Sequence, residues 1–460
     1  MKVKISNVIE ILDPTEEIQL WCRKNLVVAN PEYITRLRMG LYTGKTPSEL
    51  YLYEMRGRIW VLPFGTLRDL GSMLIDAECY TAFPEAEEVD YKANVALYDY
   101  QKDAVNACVS AKYGILKSPA GSGKTQMGIA LITALGRRTL WLTHTKDLLK
   151  QSYDRAAQYI DSSLLGTIRE GKVNISEGVT FATVQTMCRM DLTEYRDYWD
   201  VIIVDECHRV CGSPTTMSQF YKVLNALAAR HKYGLTATVH RSDGMIASVY
   251  ALLGHEAYIV PEEAVAGKTM KVTIQTIGTG TPQTYDCIGT DGMINFTKTI
   301  TYLSEDEERN KLIAYYIAAN KDHSCLILTD RINHMGNIIS RLPRDMWKDV
   351  AAITGAMTSK KDKAQREKAI EDMRSGKKKY LFATYSLAKE GLDIPRLDRL
   401  FMASPHRDYA VITQSIGRIA RTFPNKETPI CYDFVDDIYL MRKFYKQRCT
   451  TYRKNGCEIR

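Results

Sequence analysis

Two short stretches carry residue types that together could handle a nucleotide triphosphate. The first is Ser118-Pro119-Ala120-Gly121-Ser122-Gly123-Lys124-Thr125, which follows the apolar run Tyr113-Gly114-Ile115-Leu116 and opens an apolar-periodic stretch from Met127 to Leu135. Strand, glycine loop and helix in that order form a phosphate cradle, because glycines let backbone N–H groups wrap oxyanions at a helix N-terminus. Lys124 would reach the outer phosphates of ATP, and the Thr125 hydroxyl would ligate Mg²⁺. The widely used pattern has Gly where this chain has Ser118. The second stretch, Asp205-Glu206-Cys207-His208, ends the apolar run Val201 to Val204. There Asp205 could hold Mg²⁺ while Glu206 orients and deprotonates the attacking water. A glycine turn and a solvated strand end are the plain alternatives; their co-occurrence favours hydrolysis.

Elements that could position these residues recur along the chain. Leu140-Trp141-Leu142, Val179-Thr180-Phe181-Ala182, Val201–Val204 and Tyr233-Gly234-Leu235 are short apolar runs separated by helical stretches, the mark of βαβ units around a buried parallel sheet. The alternation resumes after Glu305 with Cys325–Leu328, Val350–Ile353, Tyr380–Ala383, Leu400–Ala403 and Ile430–Tyr432, but this second lobe has no phosphate loop. Before Val89 the pattern differs. Asn30-Pro31-Glu32 could cap a helix through Arg38, and Tyr51–Met55 with Ile59–Pro63 reads as a hairpin around Gly57-Arg58.

The expected fold class is α/β, two parallel-sheet lobes, RecA-like by the family resemblance given below, with a small α+β N-terminal domain. The expected organisation is 1–88 as an N-terminal DNA-recognition domain and 89–261 as the ATP-binding lobe. Residues 262–303 would be an inter-lobe connection with some β structure, and 304–460 the second lobe with a C-terminal tail.

Charge is unevenly spread across the 460 residues. The last 160, from 301 to 460, hold 30 Lys and Arg against 21 Asp and Glu, a net +9, whereas residues 1–88 hold 10 against 13. A basic C-terminal third suits a polyanion, although such an excess is commonly a solvated face. Within the acidic N-terminal segment, Arg36, Arg38, Lys45, Arg56 and Arg58 interleave with Tyr42, Tyr51 and Tyr53 as a candidate DNA surface. The 11 cysteines include no Cys-x-x-Cys pair, which points to reduced thiols. No apolar run approaches the roughly 18 residues of a membrane span, so no membrane partner and a cytoplasmic location are expected.

Taken together, the motifs resemble those of a superfamily 2 helicase with a DExH-type box. By that resemblance Leu97-Tyr98-Asp99-Tyr100-Gln101 is the adenine-recognition motif, with Gln101 reading the base, and Pro119, Ala120, Gly121, Ser122, Gly123 and His208 line the nucleotide. Thr236-Ala237-Thr238 couples hydrolysis to lobe movement, while Ala383–Ser386 with Glu390-Gly391-Leu392-Asp393 touches strand and nucleotide, Gly391 and Asp393 on the nucleotide side. Gln414-Ser415-Ile416-Gly417-Arg418-Ile419-Ala420-Arg421 supplies Gln414 and two arginine fingers, Arg418 and Arg421, to catalysis. Thr143, His144, Lys146, Thr183 and Gln185 in the first lobe, with Arg331 and Thr384 in the second, would hold the phosphodiester backbone.

Asn30–Tyr33, Arg36–Gly40, Thr43–Pro47, Leu50–Tyr53 and Glu308–Lys311 narrow the resemblance to XPB/UvsW-like phage and bacterial enzymes, which implies remodelling of branched or forked DNA. Three alternatives stand beside it: an RNA helicase, a non-hydrolysing clamp, and the motor of a restriction or nuclease system, the last faintly echoed by Asp76 with Asp90-Tyr91-Lys92.

Overall fold

Short β-branched runs that are apolar on both faces must be covered twice, so they stack as parallel strands between helices. The computed structural model of the chain has this arrangement. It describes all residues except Ala86, Ala120, Thr215, Met217, His240, Ser242, 266–268, Asp291, Thr358, Glu390 and Gly391, and the side chains of Lys360, Ala388 and Lys389. The chain divides into two compact units, residues 1–119 with 123–265, and 266–460 with 120–122. None of the described helices is long and apolar enough to cross a membrane.

The main sheet of the first unit has eight strands in the order Lys172–Asn174, Leu165–Arg169, Val179–Thr183, Thr139–Thr143, Val201–Asp205, His231–Thr236, Gly114–Lys117, Glu256–Ile259. All pair in parallel except the first, which turns back antiparallel. Every residue of Thr139–Thr143, Val179–Thr183 and Val201–Asp205 is buried, as central strands covered on both faces require. One face packs through Met127, Ile129, Trp141 and Tyr233, the other through Leu142, Val204, Phe220 and Val249.

A second sheet in this unit orders Glu54–Arg56, Ile59–Pro63, Val8–Leu12, Lys2–Ile5, Glu78–Thr81, antiparallel except for its last pair. The expected hairpin forms with a shorter first arm, because Glu49–Tyr51 pairs instead with Val27–Ala29. The core of this sheet continues into Tyr113 and Ala251 of the larger one. At that junction Lys232 is buried, donating to Leu224 O at 2.8 Å and Asn7 O at 3.2 Å, with the Phe64 ring 5.2 Å away. Burial pushes its ammonium down to about 7. Residues 1–88 therefore share a core with those that follow.

The second unit is a seven-stranded sheet, Val350–Ile353, Tyr380–Thr384, Cys325–Thr329, Arg399–Met402, Ile430–Asp437, Thr273–Pro282, Glu458–Ile459, parallel throughout. The stretch 262–303, expected as an inter-lobe connection with some β structure, supplies one of these strands, with Ile274 and Ile277 buried. Two buried ion pairs fasten helices to Ile430–Asp437: Arg309 to Asp436 at 2.7 Å and Arg448 to Asp433 at 2.8 Å.

Candidate active site

Parallel pairing delivers three motifs to one edge of the first unit. Gly114–Lys117 runs beside His231–Thr236, which runs beside Val201–Asp205, with Lys117 level with Thr236 and Leu235 level with Asp205. The phosphate loop thus leaves the sheet beside Thr236-Ala237-Thr238, and Ser118 N–H donates to Thr236 O at 3.0 Å. Pro119 follows, and Ala120 lies outside the described residues. Gly123 caps the helix Lys124–Leu135 at φ 84°, and a Cβ there would lie 2.6 Å from the Gln101 amide nitrogen. Both the left-handed backbone and that close approach require glycine. Gln101 is buried, and its Oε1 accepts from Tyr98 N–H at 3.0 Å, so the expected base-reading amide stands next to the expected phosphate cradle. Lys124 Nζ turns back toward Ser118 O at 3.5 Å, and Thr125 lies half-buried in the first turn of the helix.

Asp205 is the buried last residue of its strand. Loss of solvent and repulsion from Glu206 push its carboxyl up to about 7 against the opposing pull of Lys124. Its Oδ2 accepts from Ser152 Oγ at 3.3 Å and its Oδ1 from Glu206 N–H at 3.0 Å. A buried carboxylate held in this state fits a divalent cation, which would restore its charge. Glu206 adopts φ 50°, rare for a residue with a side chain. Its Oε2 lies 3.3 Å from His208 Nδ1, which is 3.1 Å from Thr236 Oγ1. Thr236 gives its own proton to Thr238 O at 2.7 Å, so Nδ1 is the donor to Thr236. His208 is thus hydrogen-bonded to the Thr236-Ala237-Thr238 turn while standing 3.3 Å from the Glu206 carboxylate.

In the second unit, Gln414 and Arg418 lie on the helix Tyr409–Ile419, and Arg421 lies just beyond it. Arg418 Nη1 donates to Leu392 O at 3.0 Å, and Arg421 forms an ion pair with Asp393. Gly391, expected beside them, lies outside the described residues. Sequence reasoning missed Lys426, whose Nζ donates to Ile419 O and Arg421 O at 2.7 Å each and to Pro395 O at 3.0 Å. Met270 N–H adds a bond to Ala420 O at 2.7 Å. The arginine-bearing turn is thereby pinned, and burial pushes the Lys426 ammonium down to about 8. A lysine in a polar loop gives no sequence signal for such a task, which exists only once the loop folds back.

The family described as type III restriction enzyme, res subunit, matches residues 94–241, and the family described as helicase conserved C-terminal domain matches residues 307–423. The two matches, one in each unit, support a superfamily 2 helicase. A protein of Acanthamoeba polyphaga mimivirus named as an ATP-dependent RNA helicase, L396, is 26% identical over 75% of this chain, which spans only 64% of that relative. The DNA 3'-5' translocase XPB2 of Sulfurisphaera tokodaii is 25% identical over 72% of this chain and 80% of its own length. Among solved structures, an HsdR-subunit fragment of a type I restriction enzyme from Vibrio vulnificus shares the fold, with TM-score 0.58 and 17% identity over 93% of this chain and 80% of its own. Bacteriophage T4 UvsW aligns over 100% of this chain and 99% of its own at 18% identity, with TM-score 0.41.

The strand-contacting residues expected of the helicase are divided by the structure. Thr143 and Thr183 sit at the same strand edge but are buried, their hydroxyls engaged with Thr145 O at 3.0 Å and Thr186 Oγ1 at 2.9 Å. They shape the loops that present the other residues. Gln185 Nε2 donates to His144 O at 2.6 Å, joining the two loops, and Lys146 pairs with Glu170 at 2.5 Å. In the second unit Arg331 caps the helix Ile332–Ile339, and Thr384 Oγ1 lies 3.0 Å from Ser386 Oγ. A buried relay behind Arg331 went unforeseen: His334 lies 2.9 Å from Asn310 and 3.2 Å from Ser404, which also accepts from Asp330 N–H at 3.0 Å.

Of the N-terminal cations, Arg36 pairs with Glu32, Arg56 with Glu54 and Arg58 with Asp13. Arg38 and Lys45 are exposed. Lys92 N–H donates to Asp90 Oδ1 at 3.1 Å as a local turn, and no group of three potential metal ligands occurs among the described residues.

Proposed function

We propose that this chain is an ATP- and Mg²⁺-dependent DNA helicase or translocase acting on branched DNA. One observation carries the reading: the phosphate loop, the Asp205-Glu206 turn and the Thr236-Ala237-Thr238 turn meet at a single sheet edge, joined by hydrogen bonds. Lys124 and Thr125 with Asp205 would hold the nucleotide and its cation, which supply a phosphoanhydride whose cleavage releases free energy. Glu206 takes the proton of the attacking water, and His208, close to its carboxylate, holds the Thr236-Ala237-Thr238 turn beside it. Arg418 and Arg421 serve the same reaction, their permanent charge suited to phosphate oxygens. Arg421 must then exchange Asp393 for phosphate. The backbone-gripping role falls to His144, Lys146, Gln185, Arg331 and Thr384, since Thr143 and Thr183 are withdrawn from the surface. The XPB2 relative supports DNA, while the L396 relative is named as an RNA helicase.

Steady-state ATPase with single-stranded, duplex, forked and four-way DNA, and with RNA, tests this. Forked and four-way DNA are expected to stimulate most. Equal stimulation by RNA would move the reading to an RNA helicase. The match to a restriction-subunit family favours a second reading, a restriction motor, which predicts metal-dependent nicking of plasmid by a complex containing this chain.

A further inference from the structure

We propose that the excursion spanning residues 30–48 is an apolar wedge that enters the branch point of branched DNA. The inference rests on the DNA reading above and gives one protruding element its task. Strands Val27–Ala29 and Glu49–Tyr51 pair antiparallel, with Ala29 level with Glu49. The chain between them is closed at its base by Asn30, whose N–H donates to Ser48 O at 2.9 Å and whose side-chain amide donates to Pro47 O at 2.8 Å.

The excursion is a built structure, although its helix Pro31–Arg38 buries none of its residues. Asn30 Oδ1 caps Glu32 N–H at 3.0 Å, and Arg36 bridges the Glu32 carboxylate at 2.8 Å and Tyr42 O at 3.3 Å. The helix closes with Leu41 N–H on Arg36 O at 2.9 Å and Gly40 N–H on Leu37 O at 3.2 Å, Gly40 standing at φ 63°. Such a turn normally folds its following apolar residue onto the end of the helix. Here Leu41 stays 55% exposed, beside Leu37 at 63%, Met39 at 67% and Tyr42 at 88%. The Tyr42 ring leans on Gly44, where a Cβ would come 2.9 Å from it. An ordered scaffold thus presents a cluster of apolar side chains to water, which marks a binding surface.

Charge selects the partner. Arg38 and Lys45 flank the cluster, exposed and without an ion pair among the described residues, whereas Glu32 is already neutralised by Arg36. A cationic rim around an aromatic and aliphatic tip suits a polyanion with open base faces. Phosphates meet the cations while the tip stacks on bases already unpaired. A branch point offers such an opening, whereas a continuous duplex would first have to be unstacked.

The test uses the full chain and the double variant Leu41→Ser/Tyr42→Ser, both positions being exposed. The probes are a fork with 2-aminopurine at its branch and a single strand of equal length. Without nucleotide, the wild-type protein should change the 2-aminopurine fluorescence. The double variant should lose that change and bind the fork about tenfold more weakly, with single-strand affinity held within about twofold. Arg38→Ala and Lys45→Ala should weaken binding to both probes, each lowering the salt slope by about one. Unaltered fork binding and fluorescence in the double variant overturns the wedge. Equal loss on both probes overturns it in favour of a general strand contact, and an altered sedimentation coefficient without DNA overturns it in favour of a contact between copies. Absence of DNA-stimulated ATPase in the wild-type protein sinks the helicase reading instead, while fork binding still decides the wedge.

Discussion

Lys426 makes the arginine turn open to experiment without touching an arginine. Lys426→Met leaves the carbonyls of Ile419, Arg421 and Pro395 without their shared donor. Unmet buried acceptors cost about 1–3 kcal/mol each, so the turn should loosen. The expected outcome is a roughly tenfold fall in kcat with the ATP KM within about twofold, because a finger acts mainly on the transition state. Lys426→Arg should restore part of the rate. Since the ammonium titrates near 8, wild-type turnover should also decline above that pH as a donor proton is lost, and the arginine variant should not follow. A parallel fall in both proteins would assign the decline elsewhere. Glu206→Gln is expected to keep nucleotide binding and lose hydrolysis by about 10²–10⁴-fold, as an amide cannot accept the proton. Fluorescent-nucleotide titration beside turnover separates the two effects.

At the scale of elements, the buried strands of both parallel sheets were legible because their apolar runs have no polar face. The strand Thr273–Pro282 was legible only as some β structure within a connection, since Gly278 and Gly280 break the apolar run that would have placed it in the second sheet. The phosphate loop and Asp205-Glu206 were legible because their chemistry is local in sequence. The His208–Thr236 contact, the His334 relay and the pairing of Arg56 and Arg58 with acids depend on side-chain directions that spacing does not encode. Lys232 joins two sheets and carries a pH signature. Its pKa falls from an ordinary value near 10.5 to about 7, so above pH 7 the unfolded chain binds the extra proton and folding stability rises with pH. The window to measure is about pH 7–8.5, below cysteine ionisation, where this group adds at most about 1.4 kcal/mol per pH unit. Denaturant melts of Lys232→Met should show a slope reduced by that amount, and an unchanged slope would place the titration elsewhere.

For the whole molecule, the shared core of Phe64, Tyr113 and Ala251 changes what truncation should do. Removing residues 1–88 bares that core and leaves Lys232 without Asn7. The truncated chain is expected to lose more than about 3 kcal/mol of stability, on the scale of stripping an aromatic side chain from a core. Its ATPase should survive only at reduced temperature. Thermal melts and an ATPase temperature profile check this, and an unshifted melting point would show that the two sheets are independent.

The place of Thr273–Pro282 in its sheet also sets a problem of timing. This strand is made before the others of its sheet, yet among the described residues it pairs only with Ile430–Asp437 and Glu458–Ile459, which are made last. During synthesis at about 5–20 residues per second it waits on the order of ten seconds with an unsatisfied edge. Unpaired β edges invite neighbouring chains. The glycines at 278 and 280 and the proline at 282 make it a poor template for β-aggregation while it waits.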